Sequence, residues 1–256
     1  MSTPAYGILR EVSPVASVLL ENNPSSMTLE GTNSWVLRAP GSDGRVVVDP
    51  GYEDIEHLTL LAEVAPVELI LLTHHHGDHA EGAPWFADRV GAPVRAFDPA
   101  LCIGAKSFVD GEVIEAAGLA IKVLHTPGHT GDSVSFHIGD EVLTGDTVLG
   151  RGTTVLSDLG AYLRSLRTLI ELPAGTAGLP GHGPELADLP STAREYLAHR
   201  EQRLDQVRSA LKDLGAGATA RQVVEIVYAD VDQSLWLPAE SSVRAQLEYL
   251  RSEAGA

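Results

Sequence analysis

Five side chains able to ligate a metal ion crowd into one stretch, Thr73-His74-His75-His76-Gly77-Asp78-His79, and four of them converge. The stretch follows the apolar run Glu68 to Leu72, which reads as a buried strand. In extended chain, side chains two apart share a face, so His74 and His76 point together and His75 turns away. A shifted register would instead require Gly77 as a ligand. That glycine permits a sharp turn, which brings Asp78 and His79 back toward the pair. Three more segments each offer a single group: Thr126-Pro127-Gly128-His129-Thr130, Thr144-Gly145-Asp146-Thr147 and Pro180-Gly181-His182-Gly183. Each follows an apolar stretch, where a strand would meet a loop, and its glycine lets the backbone approach an ion.

Five histidines and two aspartates, with no cysteine among them, suit borderline zinc chemistry; iron or manganese would fit the same donors. Seven groups suffice for two ions per chain. Two divalent ions bring +4, the aspartates return −2, and a bridging hydroxide leaves about +1, which favours an anionic substrate or an oxyanion. The chemistry expected is hydrolysis by metal-bound hydroxide, with Asp78 or Asp146 accepting its hydrogen bond. No protein nucleophile is required. Ser133 and Thr130 lie near His129 but lack a base partner, and they read as structural.

These groups need a rigid frame. Asn33 to Leu37 and Arg45 to Val48 read as strands joined through the Pro40–Gly44 turn cluster. Residues 54–64 carry helical spacing through Ile55, Leu58, Leu61, Ala62 and Ala65. A helix near Trp85 to Val90 and a strand from Pro93 to Phe97 follow. Two strands around Gly118 and a hairpin through Gly139-Asp140 come next, then a helix from Ala161 to Glu171. This order predicts an α/β layered sandwich. Beyond Leu189-Pro190, Ser191 is the expected cap of a long helix ending at Gly215. Thr219 caps a helix to Tyr228, and Ala239 to Arg251 forms another. The division expected is a catalytic domain over 1–190 and a helical module over 191–256.

At these residues the chain resembles the metallo-β-lactamase superfamily, over residues 28–190 in ordered succession. The resemblance implies an αββα sandwich in which His74, His76 and His129 hold one zinc and Asp78, His79 and His182 the other. It makes Asp146 the bridge and Asp49, in Val48-Asp49-Pro50-Gly51, the carboxylate behind the ligands. A closer similarity is to the group called beta-lactamase-like protein 2. It rests on Glu30-Gly31-Thr32-Asn33, Leu149 to Val155, Pro180 to Pro184 and His199-Arg200, with a C-terminal module of winged-helix type. That group includes an endoribonuclease acting on single-stranded RNA, and its wider relatives include glyoxalase II-type thioester hydrolases. Where the group has aspartate between the first two ligand histidines, this chain has His75, and Gly77 replaces a bulky residue. Zinc β-lactamases carry cysteine or serine at the position of Asp146, so antibiotic hydrolysis is not the expected role. Asn33, Tyr162, His199 and Arg200 are the expected substrate contacts; the planar arginine fork suits a carboxylate or phosphate.

Net charge is −17, which disfavours non-specific duplex binding driven by counterion release. The charge is uneven, with 8 Lys/Arg against 10 Asp/Glu in residues 191–256. The bulk charge favours a small acyl substrate, a thioester first. The less acidic module favours single-stranded RNA, and a non-catalytic nucleic-acid-binding protein ranks behind both. The single cysteine, Cys102, excludes an internal disulfide and reads as a buried apolar side chain. No apolar run approaches the roughly 20 residues of a membrane span, and Met1 to Tyr6 has no export pattern. A cytoplasmic protein without membrane contact is expected.

Overall fold

A computed structural model describes residues 5–215 and 217–254. One sheet runs in the order β1 (Arg10–Glu11), β2 (Ala16–Leu20), β3 (Asn33–Leu37), β4 (Arg45–Val48), β5 (Val67–Leu71) and β6 (Val94–Arg95). The second sheet uses β7 (Val113–Ala116), β8 (Leu119–His125), β9 (Val134–Ile138), β10 (Glu141–Gly145) and β11 (Ala177–Pro180), in the order β11-β10-β9-β8-β7. Alternation along each strand decides what lies between them. Val46 and Val48 point inward with Trp35, Leu37 and Leu71, and meet Ile121, Val123, Phe136 and Leu143 of the second sheet. Val47 and Ile70 point outward, against Leu58 and Leu61 of α1 (Ile55–Ala62). Strands buried on both faces are continuous apolar runs, as Val46 to Val48 and Leu69 to Leu71 are. Fully burying each such side chain stabilises the fold by about 1.5–3 kcal/mol.

Two more helices lie on the first-sheet side, the single turn α2 (Gly77–Ala80) and α3 (Ala83–Val90), whose Phe86 joins the same outer cluster. Leu124 and Val142 on the far face of the second sheet pack on Leu159, Tyr162 and Leu166 of α4 (Leu159–Ile170) and on Ala193 of α5 (Leu189–Leu214). The four layers are therefore α, β, β, α, the sandwich expected. The C-terminal half of α5 contributes Val207 to a separate core with Val223 and Val224 of α6 (Ala220–Val227) and Val243 and Leu247 of α7 (Trp236–Ala254). Thr219 caps α6 through a reciprocal pair with Gln222.

Some boundaries differ from expectation. The cap of α5 is Asp188, whose carboxylate accepts from the Ser191 N–H; Pro190 sits in the first turn, where its missing donor costs nothing. The strand expected over Pro93–Phe97 contracts to the two residues that pair with β5. Strands β1 and β2 were not expected; β2 pairs along its whole length with β3. Cys102 is half-buried and packs against the outer cluster.

Strand direction sets the site. β4 and β5 are parallel, β10 and β11 are parallel, and β8 and β10 both run antiparallel to β9. Asp49 follows β4, the histidine cluster follows β5, and His129, Asp146 and His182 follow β8, β10 and β11. The Val134 N–H donates to the Thr73 carbonyl at 2.9 Å and ties the two sheets together at this edge.

Candidate metal centre

Three ligand-type groups have donor atoms within 4.8 Å of one another among the described residues: His74, His76 and His129; His74, His79 and Asp146; and Asp78, His79 and His182. His76 Nδ1 lies 3.1 Å from His74 Nε2 and 3.0 Å from His129 Nε2. On the other side, His182 Nε2 lies 3.2 Å from Asp78 Oδ2 and 3.3 Å from His79 Nε2. Asp146 stands between the two sets. Its Oδ2 is 3.4 Å from His182 Nε2 and 3.7 Å from His129 Nε2, and its Oδ1 is 3.5 Å from His79 Nε2.

The groups behind these rings decide which nitrogen faces inward. His129 Nδ1 donates to the Val155 carbonyl at 2.8 Å and His182 Nδ1 to the Gly31 carbonyl at 3.1 Å. A carbonyl only accepts, so both rings turn Nε2 toward the centre. His79 Nδ1 donates to Asp49 Oδ2 at 2.9 Å. Thr73 Oγ1 donates to the same oxygen at 2.6 Å, so it can only accept from His74 Nδ1, 3.0 Å away. Asp49 thus orients His79 directly and His74 through Thr73, a role the resemblance implied for Asp49 but not for Thr73. Asp146 Oδ1 is buried without a hydrogen-bond partner. A lone buried carboxylate oxygen is costly, and a cation among these donors offsets that cost. The residues fit a metal.

Two glycines make the approach possible. A Cβ at Gly181 would lie 2.6 Å from Asp146 Oδ1 and 2.8 Å from His79 Cε1. At Gly128, where φ is +133°, a Cβ would lie 2.4 Å from that of Tyr162.

The two ligand sets have opposite proton demands. Burial drives His76 down to about 4, with His129 and His75 acting in the same direction. Burial also lowers His74 and His129. At His182 burial again opposes the charge, but Asp146 and Asp78 outweigh it and raise the ring to about 10. His79 is raised in the same way, with burial outweighed by Asp146 and Asp49. Burial disfavours charge on Asp146 too, yet His182 and His79 hold its carboxyl well below the usual range. A cation entering beside Asp78, His79 and His182 must displace the His182 proton at pH 7; one entering beside His74, His76 and His129 displaces none. On acidification, the Asp78 set should therefore lose its metal at higher pH than the three-histidine set. Metal content after equilibration across pH 4–8 checks this. Simultaneous loss, or earlier loss from the three-histidine set, would refute the ordering.

His75 turns away, as its position between two inward rings requires. Its side chain is 51% exposed and its Nδ1 lies 2.7 Å from Asp132 Oδ1. His75→Ala should leave metal content intact and change turnover by less than about threefold, whereas His76→Ala should empty its set. Parallel metal analysis of the two variants checks the register, and equal losses would overturn it.

The expected substrate contacts are redistributed. Asn33 is corrected to a scaffold residue: its amide donates to the Pro180 and Gly183 carbonyls, both at 2.9 Å, and props the His182 loop. Tyr162 is corrected likewise, being fully buried with its hydroxyl donating to the Thr147 carbonyl at 2.6 Å. Arg200 is only 3% exposed; it donates to the Thr154 carbonyl and lies over the Tyr162 ring at 5.3 Å. Thr154 Oγ1 is 3.0 Å from His129 Nδ1, so Arg200 also steadies the loop that orients His129. His199 and Arg200 line a cavity of about 330 Å³ that reaches His129 and Asp146. A second cavity of about 260 Å³ opens over His76, Asp78, His129, Asp146 and His182. Thr130 and Ser133 bond each other at 2.7 Å and shape the turn after His129. The contacts of Thr154 and Val155 with His129, and of Asp132 with His75, went unrecognised in sequence, because contacts across 25 to 57 residues leave no local pattern.

An α–β–β–α sandwich with two histidine–aspartate sets sharing a carboxylate, at the C-terminal ends of its strands, defines a metal-dependent hydrolase. The chain belongs to the Metallo-beta-lactamase superfamily, whose family description matches residues 27–182. Residues 219–254 match the Beta-lactamase associated winged helix domain. The Beta-lactamase-like protein 2 homolog of Drosophila melanogaster is 32% identical, over 92% of this chain and 87% of its own. The Atrochrysone carboxyl ACP thioesterase of Aspergillus chevalieri is also 32% identical, over 89% of this chain and 77% of its own. The crystal structure of a beta-lactamase domain protein from Burkholderia ambifaria superposes with a TM-score of 0.84 at 22% identity, covering 99% of this chain and 90% of that one. Among the described residues, no helix is long and apolar enough to cross a membrane.

Proposed function

We propose that the chain is a dinuclear zinc hydrolase of small acyl substrates, thioesters or esters. His74, His76 and His129 hold one ion, Asp78, His79 and His182 the other, and Asp146 is shared. Iron or manganese would suit the same donors. The observation that carries this reading is the convergence of oriented ring nitrogens around a buried carboxylate oxygen that has no hydrogen-bond partner. Two divalent ions, when bound there, would lower the pKa of water toward neutrality and polarise a scissile carbonyl. The side chains supply the positioning. Asp78 and Asp146 accept a hydrogen bond from the attacking water and aim its lone pair, while Asp49 and Thr73 keep the rings from rotating.

An acyl substrate is favoured by the mostly apolar cavity beside the centre, and a relative named as a thioesterase supports it. The winged-helix module favours a second reading, cleavage of single-stranded RNA. Three of its exposed arginines are paired with carboxylates, however. Arg208 pairs with Asp205 and Glu253, Arg221 with Glu225 and Glu240, and Arg244 with Glu240. Such pairs weaken the positive field a polynucleotide needs. We also propose the division at 190/191, with α5 serving both packing units.

Elemental analysis joined to an activity screen tests the reading. About two ions per chain and turnover of an acyl thioester are expected. A stoichiometry that stays below one under metal-replete conditions sinks the dinuclear centre. Cleavage of an RNA oligonucleotide or a chromogenic β-lactam without thioester turnover sinks the acyl substrate. Inactivity on all three with full metal returns the chain to a binding role.

A further inference from the structure

We propose that the cavity between the Arg151–Val155 loop, α5 and the C-terminal module is an oxyanion subsite, and that the acyl substrate carries a carboxylate or phosphate on an apolar body. This rests on the acyl-hydrolase reading above and adds the substrate's charge and shape to it. The cavity holds about 330 Å³, the size of a small-molecule site. Leu29, Leu149, Tyr228 and Leu235 give it apolar walls, and His129 and Asp146 form part of its boundary. A ligand whose carbonyl meets the metal centre therefore extends into it.

One wall of this apolar space is cationic. Arg200 lines the cavity, is almost fully buried, and its Nε has no hydrogen-bond partner. One turn away on the same helix, Arg203 lines it too, stacked on the Tyr228 ring at 4.4 Å and donating to the Val227 carbonyl at 2.7 Å. Among the described residues, no carboxylate lies within ion-pair distance of either guanidinium, in a chain of net charge −17. His199 Nδ1 is buried and unpartnered as well. Its ring is held below the usual histidine range by burial and then by Arg200 and Arg203, so at pH 7 it is a neutral imidazole with no need of a counter-ion. Two unneutralised cations and two unsatisfied nitrogens around an apolar space match one oxyanion at the end of an apolar group. A polynucleotide, with its repeated charges and little apolar surface, matches them poorly.

The test compares three thioesters of equal chain length in the metal-loaded enzyme. One is neutral, one carries a terminal carboxylate on the acyl side, and one carries it on the thiol side. One of the charged probes should exceed the neutral one in kcat/KM by about tenfold or more, the worth of a charge-assisted hydrogen bond. Which one shows the preference places the oxyanion on the acyl or the thiol part. Arg203→Gln and, separately, His199→Leu should lower that charged-to-neutral ratio, with metal content unchanged. Added salt should lower it in the wild-type enzyme, a readout that needs no variant. Turnover of the neutral probe without preference for either charged one overturns this inference and leaves the acyl reading standing. A ratio unmoved by both substitutions and by salt overturns it as well. Failure to hydrolyse any thioester overturns the acyl reading itself.

Discussion

Asp146→Ala is expected to lower turnover by about three orders of magnitude or more, because it removes the one carboxylate placed between both ligand sets. Asp146 faces His79 through Oδ1 and both His129 and His182 through Oδ2. Without it, any cations held there would lose one of the two carboxylates among the ligands, and both affinities should fall. The fold should persist. Asp146 follows the end of β10, and its Oδ1 makes no hydrogen bond that the scaffold would lose. Metal content, kcat/KM and the thermal unfolding midpoint of the metal-free protein are the three measurements. Loss of metal and activity with a cooperative unfolding transition retained is the expected pattern; the midpoint of the metal-free protein should shift, because buried His182 and His79 lose the carboxylate that favours their charge. Wild-type metal content with more than about a tenth of the activity would remove Asp146 from the shared position.

Sequence made the frame legible where burial is two-sided. Val46-Val47-Val48 and Leu69-Ile70-Leu71 are apolar without interruption because both faces of β4 and β5 are covered. The ligand cluster was legible for a different reason. His74, His76, Asp78 and His79 are local, and the strand-to-turn change at Gly77 accounts for their convergence. His129, Asp146 and His182 were readable only as polar groups at strand ends. Which of them meet which is a property of strand direction in two sheets, and that pairing came from the family resemblance. The side chains behind the ligands were least legible. Asn33 lies 147 residues from Pro180, and Arg200 lies 46 from Thr154. Asn33 and Tyr162 looked like substrate contacts because a polar group near a motif gives no sign of whether it faces solvent or a neighbouring carbonyl. Ser191 was mistaken for a helix cap for a related reason. Asp and Ser both favour that position, and Pro190 in the first helical turn points to Asp188 instead.

Asp49→Asn separates orientation of the ligands from ligation itself. Asp49 accepts three hydrogen bonds, from Thr73 N–H at 2.8 Å, Thr73 Oγ1 at 2.6 Å and His79 Nδ1 at 2.9 Å. A carboxylate has the lone pairs for all three. Asparagine has only one accepting oxygen, and its NH2 would face Thr73 or His79, whose groups also donate. The substitution keeps the backbone available: φ at Asp49 is +53°, a left-handed conformation that Asn adopts about as readily as Asp. Asp49→Ala would add backbone strain and blur the result. With Asn, His79 loses its anchor directly and His74 loses it through Thr73, so both ligand sets should weaken although no ligand has been touched. A fall of about 10- to 100-fold in metal affinity is expected. Folding stability should fall by about 1–3 kcal/mol, because buried donors are left without an acceptor. Metal titration with a chromogenic chelator reads the first effect and denaturant unfolding of the metal-free protein the second. If stability fell while metal affinity at both sets stayed at the wild-type level, Asp49 would be a prop for the β4–β5 edge with no hold on the rings.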